Sequence, residues 1–166
     1  MDTWTREWAL PASPQSVRRA RDFVAGRLRE VGLHSVMDDA RLVVSELTSN
    51  AVRHARTPFT LVVASDEEGL LLSVRDGADP WRAPVRGDVL AERGRGLLLV
   101  EVLSAAWGVA VQAGSGKTVW ARLPTGADGE DAGIGGSRGI TGGTGRPRRT
   151  AAAFRPAPDA AGATPG

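Results

Sequence analysis

The most informative stretch of this 166-residue chain is Ser45-Glu46-Leu47-Thr48-Ser49-Asn50-Ala51-Val52-Arg53-His54-Ala55. Its apolar residues continue a helical spacing that begins upstream, so we expect a helix from near Ser35 to about His54. Ser35 and Asp38 have the spacing of a capping-box variant at the start of that helix. In a regular α-helix Glu46, Asn50 and His54, which are four residues apart, lie in one row beside the apolar stripe.

This polar row suggests chemistry at a nucleotide. An asparagine oxygen is a hard ligand that suits Mg²⁺, and a glutamate one turn away can accept a proton from an attacking hydroxyl. The alternative is that the three side chains are simply the solvated edge of an amphipathic helix.

The flanking sequence predicts the rest of the fold. Ser13 and Pro14 begin a first helix that ends before Gly32, and residues 97–103 form a third. Alternating apolar residues predict strands at 4–10, 59–64, 70–75, 108–112 and 118–123. Because the later strands follow one another through short turns, we expect hairpins in an α/β (α+β) two-layer sandwich, with a mixed, mainly antiparallel sheet and about three helices.

The composition divides the chain in two. Residues 125–166 are rich in Gly, Pro, Ala and Arg and poor in large apolar side chains, so they cannot offset their chain entropy by burial. We expect one domain over residues 1–124 and a disordered tail over 125–166. Cysteine, a signal peptide and an apolar run long enough to span a bilayer are all absent from the sequence, which predicts a cytoplasmic protein without membrane contact.

The charge pattern does not favour a nucleic-acid partner. The pI is about 10.3 although the net charge is only +2, because Lys117 is the single lysine and Tyr and Cys are absent. The arginines are interrupted by acidic and apolar residues and do not form a basic stripe. Nucleic-acid binding through the arginine-bearing tail is kept as a third hypothesis, and it would show steep salt dependence.

Two further sites could contact a nucleotide. Asp76-Gly77 follows an apolar strand, where a carboxylate can accept a hydrogen bond from an adenine amine; the alternative is an ordinary Asp-Gly turn. Gly94-Arg95-Gly96 precedes a helix whose free N–H groups favour phosphate, although any loop-to-helix junction can use glycine. Residues 114–118 look like the end of a P-loop, but Val111 replaces its first glycine and a strand pattern follows, so they predict a hairpin turn.

Taken in order, these motifs resemble a known family. Residues 45–55, 74–77, 93–97 and 116–120 are similar to the N, G1, G2 and final boxes of the ATPase superfamily of gyrase, heat-shock chaperones, histidine kinases and MutL. Within it the chain resembles the anti-sigma-factor serine kinases, in their short actinobacterial form, over about residues 13–123. The resemblance implies a Bergerat ATP-binding fold, with the nucleotide between the helical layer and a mobile loop.

The resemblance also implies roles for individual residues. Glu46 would be the catalytic base, Asn50 would hold Mg²⁺, and Asp76 would bind the adenine amine. Other residues expected at the nucleotide are Arg53, His54, Gly77, Gly94, Arg95, Gly96, Leu97 and Thr118. Among these, Gly94 and Gly96 would line the phosphate loop and Thr118 would support the adenine end, while His54 could instead be a packing residue at the helix end.

Two functions follow from the resemblance. The first is a serine/threonine protein kinase that uses Mg²⁺ and ATP to phosphorylate an anti-anti-sigma (STAS-type) partner and otherwise sequesters a sigma factor. The alternative is a non-catalytic ATP-binding module for partner switching, which is favoured by Ala78 at a usual G1 glycine position and by a short loop at residues 80–93. Relatives commonly form homodimers, which leaves a homodimer open here.

Overall fold

The computed structural model describes residues 3–77, 95–112 and 116–125, with the backbone alone at Arg95 and Gln112. In chain order the described elements are β1 (Trp4–Leu10), α1 (Pro14–Glu30), α2 (Met37–Asn50), a π-helical turn (Ala51–Ala55), β2 (Phe59–Asp66), β3 (Gly69–Asp76), α3 (Arg95–Leu103), β4 (Ala106–Gln112) and β5 (Gly116–Leu123). The predicted order of helices and strands is confirmed. Ala78, the loop at 80–93, Gly94 and nearly all of the predicted tail lie outside the described residues.

The strands form one sheet in the order β1-β2-β3-β5-β4. Each neighbouring pair of described strands is antiparallel, which confirms the mainly antiparallel sheet; these strands include no parallel pair. The two predicted hairpins, β2–β3 and β4–β5, are present. The long-range pairing of β3 with β5 joins the two hairpins. It places the C-terminal end of β3 beside the N-terminal end of β5.

The described helices pack on one face of the sheet. Side chains alternate between faces along a strand, so every second residue of β3 and β5 faces the helices. The buried residues on this face are Leu70, Leu72, Val74, Val119, Ala121 and Leu123. They meet the predicted apolar stripe of α2, which also packs against α1 and α3. The two-layer sandwich is therefore confirmed.

The N-termini of the two long helices differ from each other. Ser13 is the N-cap of α1 and Pro14 is its first residue, as predicted. The predicted capping box at Ser35 is wrong, because α2 begins at Met37 and its N-cap is Val36, without a side-chain capping bond. Val36 is buried in the core, and the Met37 N–H donates to the carbonyl of His34 at 3.2 Å. Burial of Val36 and this backbone turn fix the start of the helix instead.

The same helix is followed by a π-helical turn, where the sequence predicted a continuous α-helix to about His54. The N–H of Arg56 donates to the carbonyl of Ala51 at 3.2 Å, which is the i→i+5 bond of a π-helix. Glu46 and Asn50 lie in one row because both belong to α2, and the place of His54 in that row, within the π-helical turn, stays a prediction.

Candidate functional site

The contact between α2 and α3 brings two predicted site residues together. Gly96 is the second residue of α3, and the carboxylate of Glu46 lies directly against it. A methyl group at position 96 would overlap Oε2 of Glu46, so this close approach needs glycine. The predicted acid of the N box and the predicted glycine of the G2 box therefore meet at one point.

Glu46 and Asn50 are available for a ligand. Both side chains are half-buried, and they lie one turn apart on α2. Within the described part of the chain, neither side chain forms a hydrogen bond or an ion pair. A carboxylate and a carboxamide are thus presented side by side with their acceptor oxygens unused by the described residues.

The end of β3 holds a buried ion pair. Asp76 is the last residue of β3, and its Oδ2 lies 3.2 Å from Nζ of Lys117, which stands directly opposite on β5. The side chain of Asp76 is 1% exposed and that of Lys117 is 16% exposed. A buried carboxylate is costly unless it is paired, so Lys117 stabilises Asp76 in this place.

Sequence reasoning missed the role of Lys117. This lysine was part of a P-loop look-alike and of the final box at residues 116–120, without a role of its own, and the P-loop is excluded because β5, not a helix, follows Gly116. The signal that identifies Lys117 is the register of β3 against β5, which the alternation of a single strand cannot supply.

The backbone around Asp76 is held from two sides, by residues that were also missed. Gly116 has φ of +96°, and a side chain there would overlap the carbonyl oxygen of Asp76. On the other side, the N–H of Gly77 donates to Oγ1 of Thr57 at 2.9 Å. These contacts fix the direction in which the chain leaves β3.

Thr118 is placed on the other face of the sheet. It stands opposite Arg75, one position from the Asp76–Lys117 pair, so its side chain points away from the face that carries Asp76. The side chain is buried, and Oγ1 has no hydrogen-bond partner among the residues described. The structure does not bring Thr118 together with Asp76, and its contact with adenine stays a prediction.

The structure describes four of the remaining predicted residues in full. Arg53 and His54 are exposed on the π-helical turn after Asn50, so His54 is not a packing residue. This turn contacts β3, the strand that ends in Asp76. Gly77 is exposed and Leu97 is half-buried in α3, whereas Gly94 and the side chain of Arg95 lie outside the described residues.

These features fit a nucleotide with a metal ion. Asp76 is a buried acceptor of the kind that can bind an exocyclic amine, and Gly96 lies in the first turn of a helix, where N–H groups favour phosphate. No three His, Cys, Asp or Glu side chains of the described ranges form a metal cluster. The role of Asn50 as a ligand of Mg²⁺ stays a prediction.

Comparison with known proteins agrees with this geometry. The sequence model of the histidine kinase-like ATPase domain matches residues 10–123, which is more than half of the chain. The match runs from the last residue of β1 to the last residue of β5 and includes Glu46, Asn50, Asp76 and Lys117. A comparison with curated proteins gives no significant match. No helix of the described segments is long and apolar enough to cross a membrane.

Proposed function

The chain belongs to the histidine kinase-like ATPase family, and on that premise we propose that it is a protein kinase that binds Mg²⁺ and ATP. Its substrate would be a serine or threonine of an anti-anti-sigma partner of the STAS type, and its other partner a sigma factor that it sequesters in the cytoplasm. The choice of kinase and partners within the family is supported by the resemblance of residues 45–55 and 93–97 to the anti-sigma kinase boxes.

The observation that carries the kinase proposal is the position of the Glu46 carboxylate. It lies against Gly96 at the start of α3, and no described residue occupies its oxygens. A general base must lie within reach of the proton that it abstracts and must not be engaged elsewhere.

The other residues would bind and orient the nucleotide. Asn50 would ligate Mg²⁺ and Asp76 would accept a hydrogen bond from the adenine amine. When bound, ATP supplies the phosphoryl group and Mg²⁺ neutralises part of its charge. Glu46 would accept the proton of the partner's hydroxyl, which makes that oxygen a better nucleophile.

A phosphoryl-transfer assay tests this function. The full chain is incubated with Mg²⁺, ATP labelled at the γ-phosphate and a candidate STAS-type partner, and label on the partner is measured. We expect transfer by the wild type, and a loss of about a hundredfold or more for Glu46→Gln with ATP affinity retained. Glu7→Gln is the matched control, because Glu7 is exposed on the sheet face without described helices.

Two results would change the proposal. Transfer that is unaffected by Glu46→Gln would remove Glu46 from the chemistry. Binding of ATP without transfer to the tested partners would favour the non-catalytic partner-switching module. Nucleic-acid binding, the third hypothesis, requires instead an affinity that falls steeply with salt and is lost when residues 125–166 are deleted.

A further inference from the structure

Lys117 has hydrogen-bonding capacity that the described residues do not use. Its ammonium group lies 3.2 Å and 3.4 Å from the two oxygens of Asp76. In the described ranges it makes no other polar contact. An ammonium group carries three N–H donors, so at least one donor remains for a ligand that approaches Asp76.

The surface beside this pair suits an aromatic base. Val111 stands directly opposite Lys117 on β4, and Val109 is the next residue on the same face. These side chains are 59% and 50% exposed, which is unusual for valines on the face that forms the core. Lys117 and Asp76 therefore border an apolar surface that is open to a ligand, which is how binding sites combine apolar contact with a few polar groups.

We propose that Lys117 reads the base together with Asp76: Asp76 accepts a hydrogen bond from the 6-amino group of adenine, and Lys117 donates one to the neighbouring N1. This inference rests on the proposed nucleotide binding and adds a specificity residue to it. Adenine presents the 6-amino donor and the N1 acceptor side by side on its Watson–Crick edge, as this pair requires. Guanine would place its O6 acceptor against the Asp76 carboxylate and leave a buried group unpaired, which disfavours binding.

Replacing one atom of the ligand tests the contact without changing the protein. Calorimetric titration of the full chain with ADP and with 1-deaza-ADP, which has a C–H group in place of N1, compares the two affinities. We expect 1-deaza-ADP to bind about tenfold or more weakly, the effect of one hydrogen bond to a charged group. Equal affinities would overturn the inference while leaving nucleotide binding and the kinase proposal intact, whereas a failure to bind either nucleotide would overturn both.

The variant Lys117→Met assigns the contact to the lysine. It also removes the partner of Asp76, so both nucleotides should bind more weakly, but the loss should be about tenfold greater for ADP, so that the preference for ADP over 1-deaza-ADP disappears. A lysine that only stabilised Asp76 would weaken both nucleotides equally, and that outcome contradicts the inference. If Lys117→Met does not fold, Lys117→Arg keeps the charge but moves the donors, and an unchanged preference in that variant would also contradict it.

Arg122→Met is the matched control. Arg122 also lies on β5, is 19% exposed, and forms a cross-strand ion pair with Asp66 at the opposite end of the strand. This variant should lower the stability of the protein and leave the preference for ADP over 1-deaza-ADP as in the wild type.

GDP serves as the test of base identity. Tighter binding of GDP than of ADP by the wild type would show that Asp76 and Lys117 do not bind the 6-amino group and N1 of adenine.

Discussion

At the scale of single residues, we expect a substitution of Gly96 to affect stability and phosphoryl transfer differently. Alanine is the better helix former, and the atom that a methyl group would meet is the end of a flexible glutamate side chain. We therefore expect Gly96→Ala to keep or slightly raise stability but to push the Glu46 carboxylate aside and lower phosphoryl transfer about tenfold or more. Urea unfolding and the labelled transfer assay measure the two effects.

Gly26→Ala provides the comparison for this change. Gly26 lies inside α1, and a methyl group there would meet no atom within 4 Å. We expect this variant to gain about 0.5–1 kcal/mol in the free energy of unfolding, as alanine does in an exposed helix interior, and to transfer phosphate at the wild-type rate. Wild-type transfer by Gly96→Ala as well would show that the position of Glu46 beside α3 is unimportant.

At the scale of elements, local patterns predicted the helices, the strands and the two hairpins, but not which elements distant in the sequence become neighbours. The helical spacing around Leu47 and the alternation in residues 118–123 identified α2 and β5, because burial on one face leaves a period in the sequence. The pairing of β3 with β5 is a long-range contact without such a period, so Lys117 was not linked to Asp76. The π-helical turn was missed for a related reason, since its i→i+5 bond leaves no separate residue pattern.

Helix α2 should also determine the stability of the domain, because it contacts both the other helices and the sheet. Leu47 is fully buried in its apolar stripe, so Leu47→Ala removes core contacts and leaves a cavity. We expect a loss of about 2–5 kcal/mol in the free energy of unfolding, measured by urea denaturation. Leu42 lies on the same helix but is 47% exposed, and Leu42→Ala should cost much less. Similar losses for both would show that α2 does not pack as described.

At the scale of the whole molecule, strand β5 forms an ion pair near each of its two ends. Lys117 pairs with Asp76 at the site, while Arg122 pairs with Asp66 and Glu68 in the β2–β3 turn. The same turn contains Gly69 at φ of +123°, where a side chain would overlap the carbonyl oxygen of Leu123. The two ends thus join β5 to the β2–β3 hairpin, and a change at the distal end should affect stability without affecting the nucleotide.

The distal ion pair makes part of the stability depend on pH. Burial alone would raise the pKa of Asp66, but hydrogen bonds from Arg122 and the Glu68 N–H, with the charge of Arg122, outweigh it and lower the pKa below its ordinary value of 3.8. The folded state therefore binds fewer protons than the unfolded state near that value, so this contribution is complete above about pH 5 and is lost as the pH falls through the lowered pKa.

Asp66→Asn tests this dependence, because it removes the charge and keeps an oxygen that can accept the Glu68 N–H. The Asp66 side chain is 38% exposed, so solvent screening limits the expected loss at pH 7 to about 1 kcal/mol or less. Urea unfolding at pH 7 and pH 3 should show the difference from wild type shrinking at the lower pH, since the wild-type carboxyl is then increasingly protonated. Glu67→Gln, in the same turn and exposed, should show no such trend. A constant difference between Asp66→Asn and wild type at both pH values would mean that packing, not charge, links the turn to β5.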